Sequence, residues 1–70
     1  MDLGQQWKYL ENFGIVNLFT SGEGDRYSAT LTTAAWMENL QSRFDHESPE
    51  SALDELIGIL NLMKQTKGKI

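Results

Sequence analysis

The chain has no cysteine and no long apolar run. Without cysteine, neither a disulfide framework nor a thiolate metal site can support the core, and a reducing compartment is expected. No segment approaches the ~20 apolar residues of a membrane-spanning helix, and the segment "MDLGQQ" lacks the basic and then apolar layout of a signal peptide. We therefore expect one small domain over residues 1–70, located in the cytoplasm and without a membrane partner.

Positive charge is also scarce. Six basic side chains stand against ten acidic ones, which gives a formal net charge of −4 and argues against nucleic-acid binding by charge. Residues 45–55 contain five carboxylates and no Lys or Arg. Two interpretations stay open for Glu50, Asp54 and Glu55: they complement a helix dipole, or they form an acidic surface that a partner recognises.

The stretch "SPESALDELIGIL" predicts a capped helix over residues 48–66. Ser48 is a preferred N-cap, and Pro49 suits the first helical position, where its missing N–H has no helical partner. A buried face is predicted from apolar residues at helical spacing, namely Leu53, Leu56, Ile57, Leu60 and Met63. Ala52, Ile59 and Leu62 fall outside that face and require another cover. Gly58 permits the close approach of a second backbone, either from a partner or from a strand below.

Two β-prone runs, "GIVNLFT" and "RYSATLTT", flank "SGEGD" and predict a β-hairpin over residues 15–33. Tyr27, Ala29 and Leu31 alternate with polar residues, so one face of the second strand is expected in the core. If Val16 and Leu18 share that face, Ile15 and Phe19 point away from it. Their expected cover is either an N-terminal helix or a second subunit.

Residues 34–46 fit two structures. Trp36, Leu40 and Phe44 have helical spacing, whereas Leu40, Ser42 and Phe44 alternate as in a strand. We favour a third strand, because a two-stranded hairpin is a poor platform for a helix. The resulting fold class is α+β: a small antiparallel sheet of two to three strands packed by the C-terminal helix.

A short N-terminal helix is also predicted. Asp2 and Gln5 have the spacing of a capping box, and an apolar face follows from Leu3, Trp7 and Leu10. Trp7 and Trp36 are interpreted either as core residues or as interface anchors.

Catalytic chemistry has few candidates. His46 is the only histidine and is predicted to be a solvated connector, since one histidine among carboxylates gives neither a triad nor a zinc ligand set. We therefore expect no enzyme activity, no metal and no cofactor.

The order of a hairpin, a third strand and "ESPESALDELIGIL" resembles the layout of HicB-type antitoxins. Ser48, Pro49, Glu50, Ser51 and Ala52 align with part of the "G-[DN]-T-x-E-E-A" cap that precedes the first helix of that family. The resemblance covers about half of the chain and implies a partly RNase-H-like fold with an antitoxin function. The "PDLPG"-like segment of the family is missing after "YSATL".

The function expected from these features is that of a small acidic, non-enzymatic protein that binds or inhibits another protein as a homodimer, of a kind encoded by phages and mobile elements. A HicB-like antitoxin or nucleic-acid-mimicking inhibitor and a structural accessory subunit of a larger complex are the alternatives. The expected protein-contacting residues are Ile15, Phe19, Trp36, Glu50, Asp54, Glu55, Ile59 and Leu62.

Overall fold

A computed structural model describes residues 2–67 and shows an α+β fold with two helices and one three-stranded antiparallel sheet. In chain order the elements are α1 (Leu3–Glu11), β1 (Gly14–Thr20), β2 (Tyr27–Thr33), β3 (Asn39–Gln41) and α2 (Pro49–Lys67). The predicted fold class is confirmed. Neither helix within residues 2–67 is long and apolar enough to cross a membrane.

Both helices begin where their capping residues predict. Asp2 accepts a hydrogen bond from the backbone N–H of Gln5, whose side chain accepts one from the N–H of Asp2, so the capping box is present. The hydroxyl of Ser48 accepts a hydrogen bond from the N–H of Ser51 at 3.2 Å, which caps α2 one residue before Pro49.

The hairpin pairs all seven residues of β1 with β2, from Gly14 opposite Thr33 to Thr20 opposite Tyr27. Its loop contains Gly24, whose φ of 77° lies in the left-handed region that glycine adopts without strain. Gly14 has a separate role, because a Cβ there would overlap the carbonyl oxygen of Thr32. Gly14 therefore allows the close approach of two backbones.

The third strand is confirmed but is only three residues long. Leu40 lies opposite Leu31 in the core, as the alternation predicts. The alternation does not extend to Phe44, which is 48% exposed. After Gln41 only half of the backbone pairing continues: the Ser42 N–H donates to the Ala29 carbonyl oxygen at 3.0 Å, whereas the Ala29 N–H donates to the Ser42 hydroxyl at 2.8 Å in place of a backbone carbonyl.

The core lies between the sheet and both helices. It contains Leu10 of α1, strand residues and α2 residues, namely Val16, Ala29, Leu31, Leu40, Ala52, Leu53, Leu56 and Leu60. The expectation that Ala52 needs a separate cover is wrong, since this residue is fully buried. The proposed cover of Ile15 and Phe19 by the first helix is also wrong, because α1 joins α2 on the opposite face of the sheet.

Gly58 does not lie against a strand, which is one of the two close contacts that the sequence suggested. It is exposed on α2, and a Cβ built at this position meets no atom within 4 Å among the described residues. Gly58 thus leaves a small gap on the outer surface of the helix.

Candidate protein-interaction surface

The sheet has one face that no helix covers within residues 2–67. Because side chains alternate along a strand, the residues between the core positions point away from both helices. We call this surface the open face and define it by Ile15, Asn17, Phe19, Ser28, Thr30, Thr32, Asn39 and Gln41.

Strand pairing arranges the open face in rows. Thr30 lies at its centre, between Asn17 on β1 and Gln41 on β3. In the next row Thr32 lies between Ile15 and Asn39 and donates its hydroxyl to Oδ1 of Asn39 at 2.5 Å. The middle and far strands thus present hydroxyl and amide groups.

Ser28 is the buried member of the open face. Its hydroxyl donates to the carbonyl oxygen of Ser42 at 3.2 Å, and its side chain has no exposed area. Ser28 therefore anchors the segment after β3 and does not present a free surface.

The open face contains no charged residue, although the chain contains ten acidic and six basic side chains. Its apolar members both lie on β1, where Ile15 is 67% exposed and Phe19 is 48% exposed. The surface therefore combines two apolar side chains on β1, with Asn17 between them, and an uncharged polar area on β2 and β3. We call Ile15 and Phe19 the apolar strip.

Glu55, which was expected to contact a partner, is held inside the fold. Its Oε1 atom accepts hydrogen bonds from the Arg43 N–H at 3.0 Å and from Nε2 of His46 at 2.5 Å. The Nε atom of Arg43 lies 3.8 Å from Oε2 of the same carboxylate. The hydrogen bond from His46, followed by that from Arg43, holds the pKa of Glu55 below its ordinary value.

Asp54 is also engaged within the fold. Its Oδ1 atom accepts a hydrogen bond at 2.7 Å from Nε2 of Gln6, a buried residue of α1, and the same amide donates to the carbonyl oxygen of Glu50 at 3.1 Å. The acidic stretch is thus divided by role: Asp54 and Glu55 attach other segments to α2, and Glu50 has an exposed side chain.

The prediction that His46 is a solvated connector is wrong. Its side chain is only 14% exposed, and its carbonyl oxygen accepts a hydrogen bond at 2.8 Å from the N–H of Tyr27. His46 therefore extends the pairing beside β2 and binds α2 through Glu55. We call the contact between His46 and Glu55 the clasp.

The remaining expected contact residues lie apart from the open face. Trp36 and Ile59 are half-buried and pack against the core cluster, so their apolar surface is partly used within the fold. Leu62 is 64% exposed on α2. The structure brings together Ile15 and Phe19 and does not bring the other expected residues to them.

The polar members of the open face, above all Asn17, Thr30 and Gln41, were not among the contact residues expected from the sequence. Their signal was present in the period-two alternation of the strands, which places them beside Ile15 and Phe19.

The described residues offer few features of a small-molecule site. Within residues 2–67 there is no concave pocket of ligand size and no group of three or more His, Asp or Glu residues that could hold a metal ion. Comparisons of the chain with protein-family models, with curated proteins and with solved structures find no match. The resemblance to HicB-type antitoxins therefore rests on the motif at residues 48–52 and on the order of elements.

Proposed function

We propose that this chain is a non-enzymatic protein that binds another protein through the open face, and thereby inhibits or recruits it. The observation that carries the proposal is a sheet face with exposed Ile15 and Phe19 and no charged residue, in a chain of which 23% of the residues are charged. The centres of protein interfaces are depleted in charged residues and enriched in aromatic ones. The open face has no charged residue, and it contains the aromatic side chain of Phe19.

A protein partner fits this surface better than a nucleic acid does. The open face has no Lys or Arg to contact phosphate groups, and the net charge of −4 repels a polyanion. Its hydroxyl and amide side chains instead offer hydrogen bonds around an apolar strip, as the polar rim of a protein interface does.

Variants that change the charge of one surface at a time test the proposal. Thr30→Lys places a charge at the centre of the open face, whereas Leu62→Lys adds the same charge on the exposed surface of α2. Each variant, after its fold is checked by circular dichroism and denaturation, is immobilised and exposed to an extract of the native host, and bound proteins are quantified by mass spectrometry.

We expect a protein captured by the unaltered chain and by Leu62→Lys to be depleted at least tenfold with Thr30→Lys. Equal capture by all three chains, or depletion with Leu62→Lys alone, would contradict a role of the open face in binding.

A further inference from the structure

Strand β1 forms an edge of the sheet, because the strand order is β1-β2-β3. On β2, Tyr27 and Ala29 direct their backbone groups towards the segment that contains β3 and His46. The alternate residues of β2 therefore pair with β1, through the backbone groups of Ile15, Asn17 and Phe19.

It follows that the N–H and C=O groups of Val16, Leu18 and Thr20 point to the outer side of β1. Within the described chain no strand lies on that side. Such a row of donors and acceptors is a template for another β-strand.

The two edges of the sheet differ in their protection. β3 is only three residues long and is followed by the irregular segment that His46 attaches to β2 and α2. β1 pairs with β2 over seven consecutive residues and contains no charge, proline or bulge. It therefore lacks the devices with which natural edge strands prevent pairing.

We infer that β1 pairs antiparallel with β1 of a second copy of this chain, about a twofold axis that passes between the two Asn17 residues. In this register the full strand Gly14–Thr20 overlaps with its counterpart. Ile15 lies opposite Phe19 of the second copy, and Val16 lies opposite Leu18 of the second copy.

The occupant is a second copy because β1 is complementary to itself in this register. Ile15 and Phe19, which both lie on the open face, are opposite one another across the axis, and so are Val16 and Leu18, which both lie on the core side. Both cross-strand pairs are therefore apolar. Aromatic and β-branched residues in such pairs stabilise antiparallel strands. β1 contributes no charged side chain to this interface, although each copy has a net charge of −4.

This pairing uses the edge of the sheet and goes beyond the proposed function, which uses its face. It joins two three-stranded sheets into one and places the apolar strips of both copies side by side. The exposed Ile15 and Phe19 become neighbours of their counterparts, and the open face continues across the axis.

A single introduced cysteine tests the geometry, since the chain has no cysteine of its own. In the proposed register Asn17 lies opposite Asn17 of the second copy, in a pair whose backbone groups do not hydrogen-bond to each other. The two Cα atoms of such a pair lie ~4.5 Å apart, which is within the range that a disulfide can bridge. Thr30→Cys is the matched control, because it lies one strand further from the axis on the same face. Two sheets packed face to face would hold both positions ~10 Å from their counterparts, too far for a disulfide.

Under mild oxidation we expect Asn17→Cys to form a disulfide-linked dimer at least tenfold faster than Thr30→Cys. Equal rates, or faster linkage through Thr30→Cys, would overturn the proposed register.

Charge substitution provides a second test that needs no oxidation. Asn17→Lys and Asn17→Asp each place like charges opposite one another in a homodimer, whereas a mixture of the two places opposite charges there. In sedimentation over a wide concentration range, we expect each variant alone to associate at least fivefold more weakly than the unaltered chain, and the mixture to recover association.

A monomer at all concentrations for the unaltered chain, or no recovery in the mixture, would overturn the inference. Thr30→Lys should leave self-association unchanged. Failure of partner capture and failure of self-association are therefore separate results.

Discussion

The Nε2 atom of His46 lies 2.5 Å from Oε1 of Glu55. This clasp attaches the irregular segment after β3 to the second turn of α2, and the same carboxylate accepts the N–H of Arg43. The carbonyl oxygen of His46 pairs with Tyr27 of β2. His46 and Glu55 thus connect the sheet, the segment after β3 and α2, although His46 is far from Tyr27 in sequence.

Replacing Glu55 with Gln should lower the free energy of unfolding by roughly 1 kcal/mol at neutral pH. The amide preserves an acceptor but loses the charge that strengthens the hydrogen bonds from Arg43 and His46. Chemical denaturation measures the change. Glu47→Gln is the matched control, because Glu47 is exposed beside the clasp, and an equal loss in both variants would contradict the role of Glu55.

The stability difference between the unaltered chain and Glu55→Gln should decrease in acid. Hydrogen bonding by His46 places the pKa of Glu55 in the folded state below its ordinary value of 4.5. The contribution of this carboxylate is therefore fully present above pH 4.5 and is lost as the pH falls through the folded-state pKa. Denaturation midpoints of both chains between pH 7 and pH 3 measure this effect. A difference that grows as the pH falls would have the wrong sign.

Asp54→Ala should destabilise the fold by about 1 to 2 kcal/mol, because it removes an acceptor from the buried amide of Gln6. The Oε1 atom of that amide already has no hydrogen-bond partner within the described residues, so the group has little alternative. Glu50→Ala provides the comparison, since Glu50 is exposed one helical turn before Asp54. If both variants shift the denaturation midpoint equally, the loss of stability in Asp54→Ala comes from the helix dipole and not from the contact with Gln6.

Alanine at two glycines should have opposite effects. Gly14→Ala is expected to destabilise the fold by about 2 to 3 kcal/mol, because its Cβ overlaps the Thr32 carbonyl oxygen and must displace backbone. Gly58→Ala is expected to stabilise it by about 0.5 to 1 kcal/mol, because the position is helical, exposed and free of neighbours. Thermal unfolding of both variants decides this, and a loss of stability in Gly58→Ala would show that the glycine has another role.

Local signals predicted most of the fold. Capping residues at Asp2 and Ser48 marked both helix starts, and alternation marked the hairpin, because these features depend on neighbours in sequence. The extent of β3 was not predictable in this way. It depends on the hydroxyl of Ser42 meeting the N–H of Ala29, thirteen residues away, which no local pattern encodes.

The candidate surface was predicted in part, for a similar reason. Alternation correctly turned Ile15 and Phe19 away from the core, but the side on which the first helix packs is a matter of tertiary structure. The intramolecular partners of the acidic residues were not predictable, because composition does not show them. Asp54 and Glu55 reach Gln6 and His46 only once the fold has formed.

Site-specific photocross-linking tests the role of the open face most directly. A photoreactive phenylalanine analogue replaces Phe19 in one chain and Leu62 in another, since both are exposed and lie on different surfaces. Each chain is irradiated in an extract of the native host, and adducts are identified by mass spectrometry. We expect position 19 to form a covalent adduct with another protein, and position 62 to form the same adduct in at least tenfold lower yield. Adducts from position 62 alone, or equal adducts from both positions, would contradict it.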